Sequence, residues 1–176
     1  IAIDGPAATG KSTTAKLVAQ KLGFTYLDTG AMYRCVTLSV FKHDIRLDDK
    51  QNLLLLLDKI DIQFKKSGSE GLVFLNGEDV SDDIRKTAVT NQVSAVSSIK
   101  EVRAFLVENQ RKIAKSHNCV VEGRDIGTIV FPLAEVKFFL IADVQTRAER
   151  RQLELSKIGE EKSLDVLINE IKKRDN

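Results

Sequence analysis

Residues 5–12 read Gly-Pro-Ala-Ala-Thr-Gly-Lys-Ser, straight after an apolar run that ends in Asp4. Few short patterns restrict a fold as tightly. Gly5 and Gly10 permit backbone dihedrals that a side chain blocks. A turn built this way folds its N–H groups inward and forms a concave anion site. A helix starting near Lys11 adds the positive end of its dipole. Lys11 brings a full charge to the outer phosphates of a nucleotide, and the Ser12 hydroxyl suits Mg²⁺. The flanks agree: Ile1, Ala2 and Ile3 read as the end of a buried strand. Ala15, Leu17, Val18, Ala19 and Leu22 fit a helix packed on a sheet. The loop alone says nucleotide, not which reaction.

The rest of the chain alternates strands and helices. Residues 23–28 form a short strand. Residues 29–44 form a helix with Thr29 as a candidate N-cap, and 48–60 form another, with Leu53–Leu57 as its buried face. The period then changes: 61–66, a turn at 67–71, 72–77 and 78–80 alternate as a small antiparallel sheet. A capping pattern at Ser81 opens a helical stretch, and 98–116 form a long amphipathic helix. Residues 119–123 and 136–141 read as buried strands, and 143–157 and 163–176 as helices. Strands separated by helices imply a parallel α/β sheet, with the stretch near 60–80 as an insertion.

Three further segments carry candidate chemistry. In "YLDTGAMYR" (26–34) a strand gives way to Gly30 and then to Tyr33 and Arg34. Ligands of open α/β sheets sit past the carboxyl ends of the strands, so Thr29, Tyr33 and Arg34 are expected at the crevice of the phosphate loop. Arginine suits phosphate because its fork donates two parallel hydrogen bonds. On residue type alone, Arg34 reads equally as a solvated helix charge and Tyr33 as a core ring. In "VVEGRDIGTIVFP" (120–132) two glycines flank Arg124 and Asp125. The glycines imply close backbone approach, although the two charges would also suit ordinary ion pairs. Arg147, Arg150 and Arg151 share one helix face. They read either as a solvated surface or as a lid that neutralises a transferring phosphoryl group.

Composition narrows the class. The chain has 176 residues, 43% hydrophobic and 30% charged, with net charge +2. This balance gives no bulk electrostatic case for nucleic acid or a membrane surface. No apolar stretch is long enough for a membrane span, and no secretory signal is read at the start. Cys35 and Cys119 stand far apart in apolar contexts and read as reduced core thiols, which suits the cytoplasm. His43 and His117 lie outside every motif and read as structural or surface residues.

Together the motifs "IDGPAATGKST", "YLDTGAMYR", "EGRDIGTIVFP", "ERR" and "EIKKRD" resemble the nucleoside monophosphate kinases, most closely the bacterial cytidylate kinases. They run through most of the chain. The resemblance implies a three-layer α/β sandwich with a parallel five-stranded sheet in the order 2-3-1-4-5. Its last strand belongs to a tail that this sequence lacks. It implies a core over 1–59 and 96–176, a lid at about 144–160 that moves on binding, and an acceptor-binding insertion at 60–95. It also implies transfer of the ATP γ-phosphoryl group to CMP or dCMP with Mg²⁺, by a monomer.

By the same resemblance, Gly5, Pro6, Ala7, Ala8, Thr9, Gly10, Lys11, Ser12 and Thr13 hold ATP, with Ser12 on the metal. Thr29, Arg103 and Asp125 approach the pyrimidine ring. Tyr33, Arg34 and Arg124 serve the acceptor phosphate, and Arg147 and Arg151 belong to the lid. Arg174 lies near the acceptor sugar or phosphate, and Ser94 is a further acceptor contact. The catalytic set is then Lys11, Arg124, Arg147 and Arg151. No Cys or His is required, because phosphoryl transfer needs positioning and positive charge more than covalent help. Other P-loop kinases, for a different nucleotide, shikimate or dephospho-coenzyme A, fit less well, because "DTGAMYR" and the insertion at 60–95 argue against them. A GTPase fits worse, because there is no N-K-x-D stretch. A nucleotide-dependent binding module without turnover is the alternative of a different class.

Overall fold

The computed structural model describes residues 1–176 except Gly68, Ser69, Ser116 and Asn176. The chain divides into two compact units, 1–28 with 114–176, and 29–113.

The first unit is built on a parallel sheet. The apolar run at the amino end becomes β1 (Ala2–Asp4), fully buried. The phosphate loop leads into α1 (Lys11–Leu22), which ends at Gly23. The chain returns as β2 (Thr25–Asp28). After residue 113 this unit adds two strands and two α-helices, numbered below in chain order with those of the second unit. Along the sheet the first strand lies between the strands at Cys119–Gly123 and Lys137–Phe139, and β2 is the outer neighbour of Cys119–Gly123. Counting only parallel strands in chain order, this is 2-3-1-4. The four strands available stand in the expected order, all parallel.

The second unit begins with α2 (Thr29–Lys42) and α3 (Lys50–Leu57). A three-stranded antiparallel sheet follows, with β3 (Ile62–Ser67), β4 (Glu70–Leu75) and β5 (Glu78–Asp79) in that order. The expected turn at 67–71 lies in part outside the described residues. A 3₁₀ turn at Asp83–Arg85 leads to α4 (Thr87–Ser97) and then α5 (Lys100–Lys115). The core of this unit joins Ala31, Cys35 and Leu38 of α2 to Val73 and Leu75 of β4, with Val80, Ile84 and Val89.

Back in the first unit come β6 (Cys119–Gly123), a π-helical turn at Ile126–Val130 and β7 (Lys137–Phe139). Then α6 (Val144–Lys157) and α7 (Leu164–Asp175) pack together through Ala148, Leu155, Leu167 and Ile171. Ile3, Ala15, Ala19 and Val120 join α1 to the sheet.

Five expectations need correction. The run at 136–141 is not a buried strand: β7 is exposed along its length, with Phe139 at 66%. Its apolar side chains misled because β7 is paired only on the β1 side. Leu53–Leu57 is not one buried face. Leu53, Leu56 and Leu57 are buried, whereas Leu54 and Leu55 are about half exposed, as a 3.6-residue period requires. In α1 the same geometry buries Ala15 and Ala19 and leaves Leu17 and Leu22 exposed. Finally, Ser81 does not cap a helix. Its hydroxyl donates to Asp79 at 2.6 Å and accepts from the Val73 N–H at 2.9 Å, which ties β4 to the segment after β5. Thr29 is the first residue of α2 rather than a flanking cap.

Candidate active site

The phosphate loop is the tight turn its glycines imply. Gly5, Ala8 and Gly10 all have positive φ, at 145°, 59° and 95°. At Gly5 the reason is spatial as well: a Cβ there would lie 2.2 Å from the Leu140 carbonyl oxygen. No side chain caps α1, so its first N–H groups keep their capacity for an anion. Pro6 and Thr9 close the turn, with the Thr9 hydroxyl donating to the Pro6 carbonyl at 3.0 Å. Lys11 folds back over the loop and donates to the same carbonyl at 2.6 Å.

The strand ends surround this loop with charge. Parallel register sets Glu122 of β6 beside Asp28 of β2 and Ile3 of β1. Glu122 is 4% exposed. It accepts from the Ser12 hydroxyl at 2.9 Å and from the Tyr26 phenol. Burial pushes the Glu122 carboxyl up, Asp28 pushes the same way, and the Tyr26, Ser12 and Lys11 contacts oppose them. Burial, then Arg124, lowers Lys11 to about 8 against the pull of Glu122 and Asp28, with Arg147 adding to the fall. Arg124 is itself held below the usual arginine value, mainly by desolvation, with Asp175 opposing and Arg147 adding to it.

Three of the four expected catalytic residues therefore share one field: Lys11, Arg124 and Arg147. Arg147 is 3% exposed and donates to Asp175 at 2.6 Å. Its Nε and Nη2 are buried and have no hydrogen-bond partner among the described residues. Buried guanidinium donors left this way fit a site built for an oxyanion ligand. Arg151 points elsewhere, onto Glu154 at 3.2 Å. Arg150, which was grouped with them but not chosen, donates to the Ala8 carbonyl of the loop at 3.4 Å.

In the second unit, α2 places Thr29 at its buried start and Tyr33 and Arg34 one turn later. Burial raises the Tyr33 phenol and nearby Arg103 of α5 opposes this, so these two expected residues are brought together. Thr37 donates to the Tyr33 carbonyl at 2.9 Å. Ser94 is exposed on α4. In the first unit, Asp125 starts the π-helical turn, and its carbonyl accepts from Ile129 at 2.8 Å. Arg174 is exposed near the end of α7.

Sequence reasoning passed over Asp4, Tyr26 and Glu122. The Asp4 carboxylate accepts from the Ile126 and Gly127 N–H groups at 2.8 Å each, which fixes the turn after Arg124 and Asp125. The available signal was an acidic residue closing each apolar strand, in "IAID" and "CVVE". For Mg²⁺, Ser12 offers a hydroxyl with carboxylates Glu122 and Asp28 in the same field. Among the described residues no cluster of three or more His, Cys, Asp or Glu could hold a metal. Sparse oxygen donors of this kind suit Mg²⁺, which keeps its waters and draws on substrate phosphates rather than a protein cage.

No helix of the described residues is long and apolar enough to cross a membrane. Cys35 and Cys119 are buried. A sequence model of the family described as cytidylate kinase matches residues 1–176. The chain is 53% identical over 175 residues to a cytidylate kinase of Caldanaerobacter subterraneus, covering 99% of this chain and 76% of that protein. It is 50% identical to a cytidylate kinase of Halalkalibacterium halodurans, covering 99% and 79%. It is 47% identical to one of Bacillus cereus, covering 99% and 78%. With a match along its whole length and relatives that are 47–53% identical over 99% of it, the chain belongs to the cytidylate kinase family.

Proposed function

We propose that the protein transfers the γ-phosphoryl group of ATP to CMP and dCMP, giving CDP or dCDP and ADP. The observation that carries this reading is the convergence of Lys11, Arg124 and Arg147 on one field beside an uncapped helix N-terminus. The family match supports it.

In this reading the loop 5–13 cradles the ATP phosphates through backbone N–H groups. Lys11 swings from the Pro6 carbonyl to the outer phosphates. Ser12 would hold Mg²⁺, which supplies charge neutralisation when bound. Arg147 turns its unpartnered Nε and Nη2 to the phosphoryl group, and Arg124 meets the acceptor phosphate. The acceptor is already a phosphate oxygen, so no strong general base is needed. Catalysis rests on alignment and on positive charge placed where negative charge spreads.

On the acceptor side, Thr29, Arg103 and Asp125 approach the base, and Tyr33, Arg34, Ser94 and Arg174 hold its phosphate and sugar. The Asp125 carboxylate accepts from the 4-amino group of cytosine and repels the oxygen of uracil. Arg151 joins the lid, the span of about 144–160, once it closes. The reaction takes place in the cytoplasm, which two buried cysteines far apart in the chain support. One chain supplies both donor-side and acceptor-side groups, which supports a working monomer.

A coupled assay of ADP release with ATP and each nucleoside monophosphate tests the proposal. Turnover confined to CMP and dCMP supports it. Nucleotide binding with no turnover on any acceptor makes the protein a binding module instead.

A further inference from the structure

Ser12 has one proton to donate and two lone pairs to offer. The proton is committed: it goes to Glu122 Oε2 at 2.9 Å. That commitment leaves the lone pairs as the hydroxyl's remaining capacity, which is what a cation requires. A carboxylate free to rotate would not hold the hydroxyl in this sense. Here the other oxygen, Oε1, accepts from the Tyr26 phenol. The Tyr26 ring is in turn fixed. It packs against the cluster of Ile3, Ala15, Ala19 and Val120, and Lys16 Nζ lies 5.7 Å from the ring centroid. Tyr26 is two strand positions from Asp28 on β2 and faces Val120 in the register with β6. Its phenol approaches the loop at Ser12, directly and through Glu122.

We infer that Tyr26 is a positioning residue for the metal-bearing hydroxyl: through Glu122 it fixes the direction in which Ser12 donates, and so keeps the Ser12 oxygen free to accept a cation. This rests on the proposed nucleotide site but goes beyond it, because it assigns a role to a residue that touches neither nucleotide nor metal. Outer partners of this kind set ligand orientation, and their loss commonly costs about 10–100-fold in metal affinity. A partner that acts through Ser12 and Glu122 without itself ligating the metal belongs at the lower end.

The test is calorimetric titration of ADP into the protein and its Tyr26→Phe variant, in chelator and across a Mg²⁺ series. Phenylalanine keeps the ring and its packing and removes only the hydroxyl. The Mg²⁺ concentration giving half of the metal-dependent gain in ADP affinity should rise on the order of tenfold. ADP affinity in chelator should change by less than about twofold, because the loop and Lys11 are untouched. In a Ser12→Ala background, Tyr26→Phe should produce no further shift, since the coupling runs through that hydroxyl.

An unchanged Mg²⁺ midpoint in the folded variant overturns the assignment. So does an equal loss with and without Mg²⁺, which would make the phenol a structural support alone. The same shift persisting in the Ser12→Ala background overturns it too. A wild-type protein that binds no ADP in any condition overturns the nucleotide site itself, and this assignment with it.

Discussion

Arg147 Nη1 donates to the Asp175 carboxylate at 2.6 Å, joining the first turn of α6 to the end of α7. This pair decides where the buried guanidinium sits. Removing a fully buried partner costs about 3–5 kcal/mol, because the other charge is stranded. The Asp175 side chain is 26% exposed, so Asp175→Ala is expected to cost less, about 2–3 kcal/mol. Guanidinium unfolding curves check this. A loss below about 0.5 kcal/mol would mean that the pair is a solvated contact.

The phosphate loop distinguishes its two glycines. Both have positive φ, but only Gly5 abuts backbone, at the Leu140 carbonyl. At Gly10 the nearest atom to an added Cβ is Arg150 Nη1, 3.7 Å away and at the end of a flexible side chain. Gly10→Ala should therefore cost only the dihedral penalty, about 1–2 kcal/mol. Gly5→Ala should add a collision and cost about 3–5 kcal/mol. Thermal melts of the two variants check the order, and equal losses would refute the spatial argument.

Lys11 makes nucleotide binding pH-dependent in a defined direction. Burial and Arg124 lower it to about 8 from the ordinary 10.5. Between these values the folded chain binds fewer protons than the unfolded one. The cost to stability is full below about pH 8 and is relieved as pH rises through that window. Phosphate oxygens favour the ammonium form and raise the value again. ADP binding at pH 8 should therefore take up about half a proton at Lys11, and close to none at about pH 6.5. Calorimetry in buffers of different ionisation enthalpy measures the uptake. Lys11→Met should abolish the difference between the two pH values, and its persistence in that variant would assign the proton elsewhere.

In the proposed reading the base preference rests on Asp125. A carboxylate accepting from the cytosine 4-amino group supplies about 1–3 kcal/mol of discrimination. Asp125→Ala should lower kcat/KM for CMP and narrow the CMP-over-UMP ratio by roughly tenfold. An unchanged ratio in a folded variant removes Asp125 from base recognition.

What was legible in the sequence was local. The loop could be read because Gly5, Gly10, Lys11 and Ser12 act within eight consecutive residues. The four parallel strands announced themselves as short apolar runs between helices, and family resemblance supplied their order. What escaped depends on contacts distant in the chain. Glu122 takes its meaning from Asp28, Tyr26 and Ser12, which only the parallel register brings beside it. Asp4 reads only as the end of an apolar run, yet it anchors N–H groups more than a hundred residues away. The run at 136–141 is as apolar as a central strand. Only sheet order shows that it lies at the edge. Ser81 followed a capping pattern, but a bond to Asp79 took its hydroxyl first.

The central claim is that one lysine on this loop carries the charge on which phosphoryl transfer depends. Steady-state turnover of CMP with ATP by Lys11→Met tests it most directly, with unfolding curves as the control for folding. The expected result is a fall in kcat of about 10²–10³-fold with no loss of stability, because a half-buried, partly desolvated charge is replaced by an apolar group of similar length. Turnover within about twofold of the wild type would contradict the account.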